Sequence, residues 1–206
     1  MKKALIIFAR YPELGKVKTR LAKTIGNENA LSVYKELLLY THIITKNIAA
    51  DKFVFLSEQV SEDHFLLWNY PINRFIIKIQ EGNTMGERMF HAFRDLFASG
   101  YEQVCIIGSD CITLTQQNIT DAFNHLEQYD AVIGPSADGG YYLLGMKKPH
   151  TFLFENKEWS SDRVLYSTIE DFRLMQLSFY LLPVLSDIDT EEDWLTYKKM
   201  QPQNNQ

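Results

Sequence analysis

The chain of 206 residues has two cysteines, Cys105 and Cys111. One lies inside an apolar run and the other just past its end, which excludes a disulfide framework and a zinc site built on thiolates. No apolar stretch is long enough to span a bilayer. There is no internal repeat and no Pro-, Gly- or Ser-rich linker, so residues 1–200 read as one domain with a frayed polar tail at 201–206. An excess of positive charge is also missing. The formal net charge of −5 argues against generic binding to nucleic acid or to an anionic membrane. The five histidines are scattered, with no two at a metal-binding or triad spacing. Met1-Lys2-Lys3 before an apolar run imitates a secretion signal, but Arg10 interrupts the run and no small-residue cleavage site follows. The expected compartment is the cytoplasm.

What is present is an alternation of strand and helix patterns. Lys3 to Ala9 reads as a buried strand, and Asn27 to about Asn47 carries apolar residues at helical spacing. Phe53–Leu56 and Arg74–Ile79 read as strands, separated by a polar, helix-prone segment to Trp68. A helix is expected from Thr84 to Ala98, stopped by Ser99-Gly100. Val104–Gly108 is apolar on both faces and ends at glycine, as a central parallel strand should. A helix from Thr115 to Gln128 follows. Ala131–Gly134 and Tyr141–Met146 are strands joined by Ser136–Gly140, too short for a crossover helix, so a hairpin is expected. A helix from Ser160 to Asp171, a strand near Gln176–Leu182 and a helix from Thr190 to Met200 complete the pattern. The fold class is α/β, with a mostly parallel, mixed sheet and ligands at the carboxyl ends of its strands.

The loop after the first strand delivers Arg10, Lys16, Lys18 and Arg20 around Thr19, with Pro12 and Gly15 shaping the turn. A strand feeding a basic turn and then a helix is a place where α/β proteins bind phosphate. The alternative is a solvated basic loop.

Four further clusters fall at strand ends. Asp110, after Gly108-Ser109, is placed to hold a divalent cation, or else to cap the turn that follows. Asp138-Gly139-Gly140-Tyr141-Tyr142 offers close backbone approach and aromatic faces, or an Asp-Gly turn. In Asp187–Asp193, Asp189 or Thr190 suits a helix cap, leaving Asp187 and Asp189 as sources of a second carboxylate. Gly86 and Arg88 would border a nucleotide or acceptor, or simply start a helix capped by Thr84. Trp159-Ser160-Ser161 would shape an acceptor pocket, or place a capping serine beside a core tryptophan. Phe152-Leu153-Phe154 would serve a homodimer or a core.

Taken in order, Pro12-x-x-Gly15-Lys16-x-Lys18-Thr19-Arg20-Leu21, Gly86-Glu87-Arg88-Met89, Gly108-Ser109-Asp110-Cys111, Gly134-Pro135-x-x-Asp138-Gly139-Gly140-Tyr141-Tyr142-Leu143-x-Gly145, Trp159-Ser160 and Asp187-x-Asp189-Thr190-x-x-Asp193 form a pattern. This pattern resembles the DUF2064 family of glycosyltransferase-A-like proteins, also called radical-SAM/selenodomain-associated transferase 1. The resemblance implies the nucleotide-diphospho-sugar transferase fold, a three-layer α/β/α sandwich. It implies phosphate contacts from Arg10, Lys16, Lys18 and Arg20, with Gly15 permitting close approach. It also implies a Mg²⁺ or Mn²⁺ at Asp110, assisted by Asp187 or Asp189. Two departures stand out: Gly108 replaces the first acid of the Asp-x-Asp common in this fold, and Ile112 stands where the family usually has proline.

Three functions follow. The first is glycosyl transfer from a nucleoside diphosphate sugar to an acceptor, with Asp138 as base and Gly139, Gly140, Tyr141 and Trp159 at the acceptor. The second is nucleotidyl transfer, as in the guanylyltransferase acting on 2-phospholactate, with Lys18 and Arg20 stabilising the charge on the phosphates. The loop's cations favour that reading, and the absence of Gly-x-Gly at the turn opposes it. The third is non-catalytic nucleotide binding.

Overall fold

The computed structural model describes residues 1–59, 75–188 and 190–200. Its strands are β1 (Lys3–Ala9), β2 (Asp51–Leu56), β3 (Phe75–Ile79), β4 (Gln103–Ile107), β5 (Ala131–Pro135), β6 (Tyr141–Met146) and β7 (Phe179–Leu181). The helices are α1 (Thr19–Ile25), α2 (Asn27–Thr45), α3 (Met85–Ala98), α4 (Gln116–His125), α5 (Val164–Leu174) and α6 (Glu191–Met200), with a 3-10 turn at Thr151–Leu153.

One sheet takes all seven strands in the order β3-β2-β1-β4-β6-β5-β7. Only β6 runs against its neighbours, pairing antiparallel with β4 and β5 while the other pairs are parallel. The two-residue period of the strands sends alternate side chains to opposite layers. Ala4, Ile6, Val104 and Ile106 face a core containing Met89 and Phe93 of α3 and Phe172 of α5. Leu5, Ile7, Cys105 and Ile107 face a second core with Ile44 of α2 and Phe123 of α4. Every residue of β4 is buried, as expected of a strand covered on both faces. The result is a three-layer α/β/α sandwich, as the resemblance implies.

Helix ends follow local chemistry. Thr84 caps α3, its hydroxyl accepting from Glu87 N at 3.1 Å. Thr115 and Asn118 form a reciprocal capping box at α4. Thr190 and Asp193 do the same at α6, Thr190 Oγ1 accepting from Asp193 N and Asp193 Oδ2 from Thr190 N.

Several elements differ from the sequence expectation. Helix α1 is an addition: seven residues between Lys18 and Gly26, packed through Leu21 against Val33 and Leu37 of α2. Its brevity gives it no readable period. Helix α5 begins at Val164 rather than Ser160, because Ser160 has a left-handed φ of 70° that no helix accepts. Strand β7 spans only Phe179–Leu181. Leu153 and Phe154 are core residues and Phe152 packs against them, which answers the question raised by that triplet. The helix-prone segment to Trp68, Arg74, Asp189 and the tail 201–206 lie outside the described residues. No helix among the described residues is long and apolar enough to cross a membrane.

Candidate functional site

A cleft of about 650 Å³ opens at the carboxyl ends of the parallel strands. It is centred where the chain changes direction across the sheet: β1 leads to β2 on one side, and β4 leads to β5 on the other. Loops leaving β1 and β4 therefore diverge and leave a crevice, the usual position of a ligand in such sheets.

The β1 loop supplies Arg10, Lys16, Lys18, Thr19 and Arg20 to the wall. Tyr34, rising from α2, fastens this loop: its hydroxyl accepts from Arg10 N at 2.8 Å and donates to Arg10 O at 3.1 Å. The same oxygen lies 3.4 Å from Ser109 Oγ in the β4 loop. Burial, the first cause, raises the Tyr34 phenol above its ordinary pKa. Lys16 is paired with Glu13 at 2.9 Å.

Lys18 stands between the two loops. Its side chain is 7% exposed, and Nζ lies 3.3 Å from Asp110 Oδ2 and 2.6 Å from the carbonyl oxygen of Ile188. The backbone of Lys18 is left-handed, with φ 46°. A non-glycine residue keeps that conformation only where its surroundings hold it.

Asp110 and Asp187 provide two carboxylates to the cleft from the β4 loop and the chain beyond β7. Ile188 N donates to Asp110 O at 3.2 Å, so the two segments are joined. Asp187 Oδ2 accepts from Ser136 at 3.2 Å, whereas its Oδ1 is buried without a hydrogen-bond partner. Burial, and then the charge of Asp110, push the Asp187 carboxyl up to about 7. A buried carboxylate oxygen without a donor, beside a second carboxylate, suits a divalent cation such as Mg²⁺ or Mn²⁺, which takes one or two protein carboxylates. Among the described residues, no three His, Cys, Asp or Glu side chains converge on one point.

The opposite wall comes from α3, the β5–β6 turn and the chain before α5. Asp138 lines the cleft, and its Oδ1 accepts from Gly140 N at 3.0 Å, fastening the hairpin turn. Gly139 sits behind that surface. Its φ is 87°, and a Cβ there would lie 2.2 Å from Asp162 O, so only glycine lets the turn meet the 160–163 segment. Tyr141, Trp159, Met85 and Met89 give this end an aromatic and thioether surface. Tyr141 O–H points to Met89 Sδ at 3.9 Å. Gly86 lies beneath this surface rather than on it. A Cβ there would be 2.7 Å from Trp159 Nε1 and 2.3 Å from Phe154 O. Arg88 lines the cleft, and its Nε donates to Gly82 O at 2.9 Å.

Of the residues singled out in the sequence, Arg10, Lys16, Lys18, Thr19, Arg20, Arg88, Asp110, Asp138, Gly140, Tyr141, Trp159 and Asp187 are brought together here. Gly15, Gly86 and Gly139 support the site without lining it. Tyr34, one of the apolar residues at helical spacing between Asn27 and Asn47, is a site residue that the sequence did not single out. Its one signal was a buried phenol, which needs a hydrogen-bond partner. The sequence reading also missed Gln80, whose Nε2 donates to Phe55 O at 2.9 Å at the edge of the cleft. Lys157 was missed as well. Only 2% exposed, it pairs with Asp171 at 2.6 Å and ties the Trp159 segment to α5.

Comparison with known proteins agrees with this architecture. Residues 43–161 match the family described as uncharacterized protein conserved in bacteria (DUF2064). A crystal structure from Desulfovibrio desulfuricans, provisionally named a nucleotide-diphospho-sugar transferase, superposes with a TM-score of 0.91 at 32% identity, over 99% of this chain and 90% of that one. The manganese complex of Rv0371C from Mycobacterium tuberculosis gives 0.60 at 10% identity, over 98% and 100% of the two chains. The inositol-1-phosphate CTP transferase of T. maritima gives 0.58 at 14% identity, over 94% and 91%. The last two likenesses concern the fold alone. No curated protein sequence matches the chain.

Proposed function

We propose, from the premise that this chain belongs to the DUF2064 family, that it is a metal-dependent transferase using a nucleotide-activated donor, and that the donor is a nucleoside diphosphate sugar. The observation carrying this reading is the meeting of Lys18, Asp110 and Asp187 where the β1 and β4 loops diverge. The name given to the Desulfovibrio relative supports the donor class.

In this reading Arg10, Lys16 and Arg20 bind the diphosphate, and Tyr34 keeps their loop in place. Asp110 and Asp187 would hold Mg²⁺ or Mn²⁺, which when bound neutralises charge on the departing diphosphate. Asp138 accepts the proton of the attacking acceptor hydroxyl, with its second oxygen anchored to Gly140 N. Trp159, Tyr141 and Met85 form the surface on which the acceptor rests.

A second reading, nucleotidyl transfer, is favoured by one feature: five cations line the cleft, enough to suit a triphosphate. Product identity separates the two. Release of nucleoside diphosphate from a labelled sugar donor supports glycosyl transfer, and release of pyrophosphate from a triphosphate supports nucleotidyl transfer. A thermal-shift screen of diphosphate sugars and triphosphates, with and without Mn²⁺, selects the donor first, because a ligand of the folded state raises its stability by mass action. Absence of any shift would sink both readings.

A further inference from the structure

We infer that the acceptor carries an oxyanion, a carboxylate or a phosphate, apart from the hydroxyl that reacts, and that Arg88 binds it. The inference rests on the transferase reading above and names the chemical class of its acceptor.

The argument starts from an arginine without a counter-ion. Arg88 is half-buried on the cleft wall, and its Nε donates to Gly82 O at 2.9 Å. That bond tethers the guanidinium through one nitrogen. Its two terminal nitrogens, which carry most of the group's N–H donors, meet no carboxylate or other acceptor among the described residues. Glu87, the next residue in the chain, turns back to Asn83 N at 2.7 Å instead. A cation drawn partly out of water gains more from an anion than an exposed one does. The planar fork suits two oxygens of one carboxylate or phosphate. Position then separates acceptor from donor. The cations proposed for the diphosphate, Arg10, Lys16 and Arg20, belong to the β1 loop on the facing wall. Met85, Arg88 and Met89 instead stand at i, i+3 and i+4 on α3 and share one helix face. Met85 is 45% exposed, and Met89 packs with Tyr141 and Trp159. One tethered cation beside an apolar surface fits a molecule with an apolar side and an acid group.

Small aromatic probes test this in the full-length protein. Benzoate, phenyl phosphate and neutral benzamide are titrated while the Trp159 indole N–H is followed by NMR, its signal assigned with Trp159→Phe. A mixture of ADP, CDP, GDP, UDP and dTDP with Mg²⁺ is present to occupy the β1 loop. Benzoate or phenyl phosphate should bind about tenfold more tightly than benzamide, the gain of a charge-assisted hydrogen-bonded pair. The tighter of the two identifies the acid as carboxylate or phosphate. Arg88→Gln should bring both anions to the level of benzamide, while the nucleotide mixture still raises its melting temperature. If that variant does not fold, Arg88→Lys replaces it and should lose most of the preference, because an ammonium lacks the fork. Equal binding of all three probes to the wild type would overturn the inference, as would a preference that survives Arg88→Gln. Loss of the nucleotide-induced shift in Arg88→Gln would assign the guanidinium to the donor and overturn it too. A wild type that the nucleotide mixture does not stabilise would overturn the transferase reading, and with it the acceptor, whatever the probes do.

Discussion

Tyr34 clasps both sides of one residue: its hydroxyl accepts from the backbone N–H of Arg10 at 2.8 Å and donates to the carbonyl of the same residue at 3.1 Å. A helix side chain thus fixes the start of the β1 loop, the one proposed to bind the diphosphate. Replacing Tyr34 with Phe leaves a polar pair without its partner and lowers stability by about 1 kcal/mol. The expected result is a small loss in chemical denaturation and a larger relative loss of nucleotide affinity in isothermal titration. Equal affinity in the variant would show that the clasp does not order the loop.

Asp110→Asn is expected to keep the fold and remove metal-dependent nucleotide binding, since a neutral amide is a poorer ligand for a hard cation. Circular dichroism checks the fold, and titration of Mn²⁺ with nucleotide checks the site. Unchanged affinity would remove Asp110 from it.

Asp187 gives a pH prediction. Its folded pKa of about 7 lies above the ordinary 3.8, so the protonated form is the better tolerated one. This residue imposes no penalty below pH 3.8 and an increasing one as pH rises towards 7. The full penalty is up to about 4 kcal/mol at 1.36 kcal/mol per pKa unit. Asp187→Asn should therefore melt several degrees higher than the wild type at pH 8 without metal, and the difference should shrink towards pH 4. A gap independent of pH would refute the buried-charge account.

In most helices Gly→Ala stabilises, by up to about 1 kcal/mol. Gly86→Ala is expected to do the reverse, by about 1–3 kcal/mol, because its Cβ collides with Phe154 O and the Trp159 indole. Displaced Trp159 should shift its fluorescence to the red. A stabilised variant with unchanged emission would mean that the segment yields freely.

Lys157→Met should destabilise by about 3 kcal/mol, the low end for breaking a buried pair, since Asp171 remains part-exposed. The double variant with Asp171→Asn should recover part of the loss in denaturant titration. No recovery would place the loss in packing rather than charge.

Much of this architecture is legible in the chain. The apolar runs that form β4, β5 and β6 are bounded by Gly, Pro or Asp, and the five-residue link Ser136–Gly140 allows only a hairpin. Thr84 and Thr115 announced the starts of α3 and α4. The less readable parts depend on distant contacts. α1 is too short to carry a period and is held through Leu21. The burial of Lys18 depends on Ile188, 170 residues away. Gly86 sits in a motif expected to border a nucleotide or acceptor, yet Phe154 and Trp159 cover it, and no local rule indicates that. Asp138 shows the opposite case: its turn role and its place on the cleft wall were separate readings of one residue, and both describe it.

The reversed direction of β6 has an evolutionary consequence. Because that strand starts at the cleft end of the sheet and runs away from it, the β5–β6 hairpin sits on the cleft and, with the chain to Val164 and the start of α3, forms one wall, while the β1 and β4 loops form the other. Most of the aromatic wall is encoded by the single stretch 136–164, to which α3 adds Met85, Arg88 and Met89. Drift or recombination within residues 136–163 can alter what the aromatic end accepts while leaving the cationic end intact.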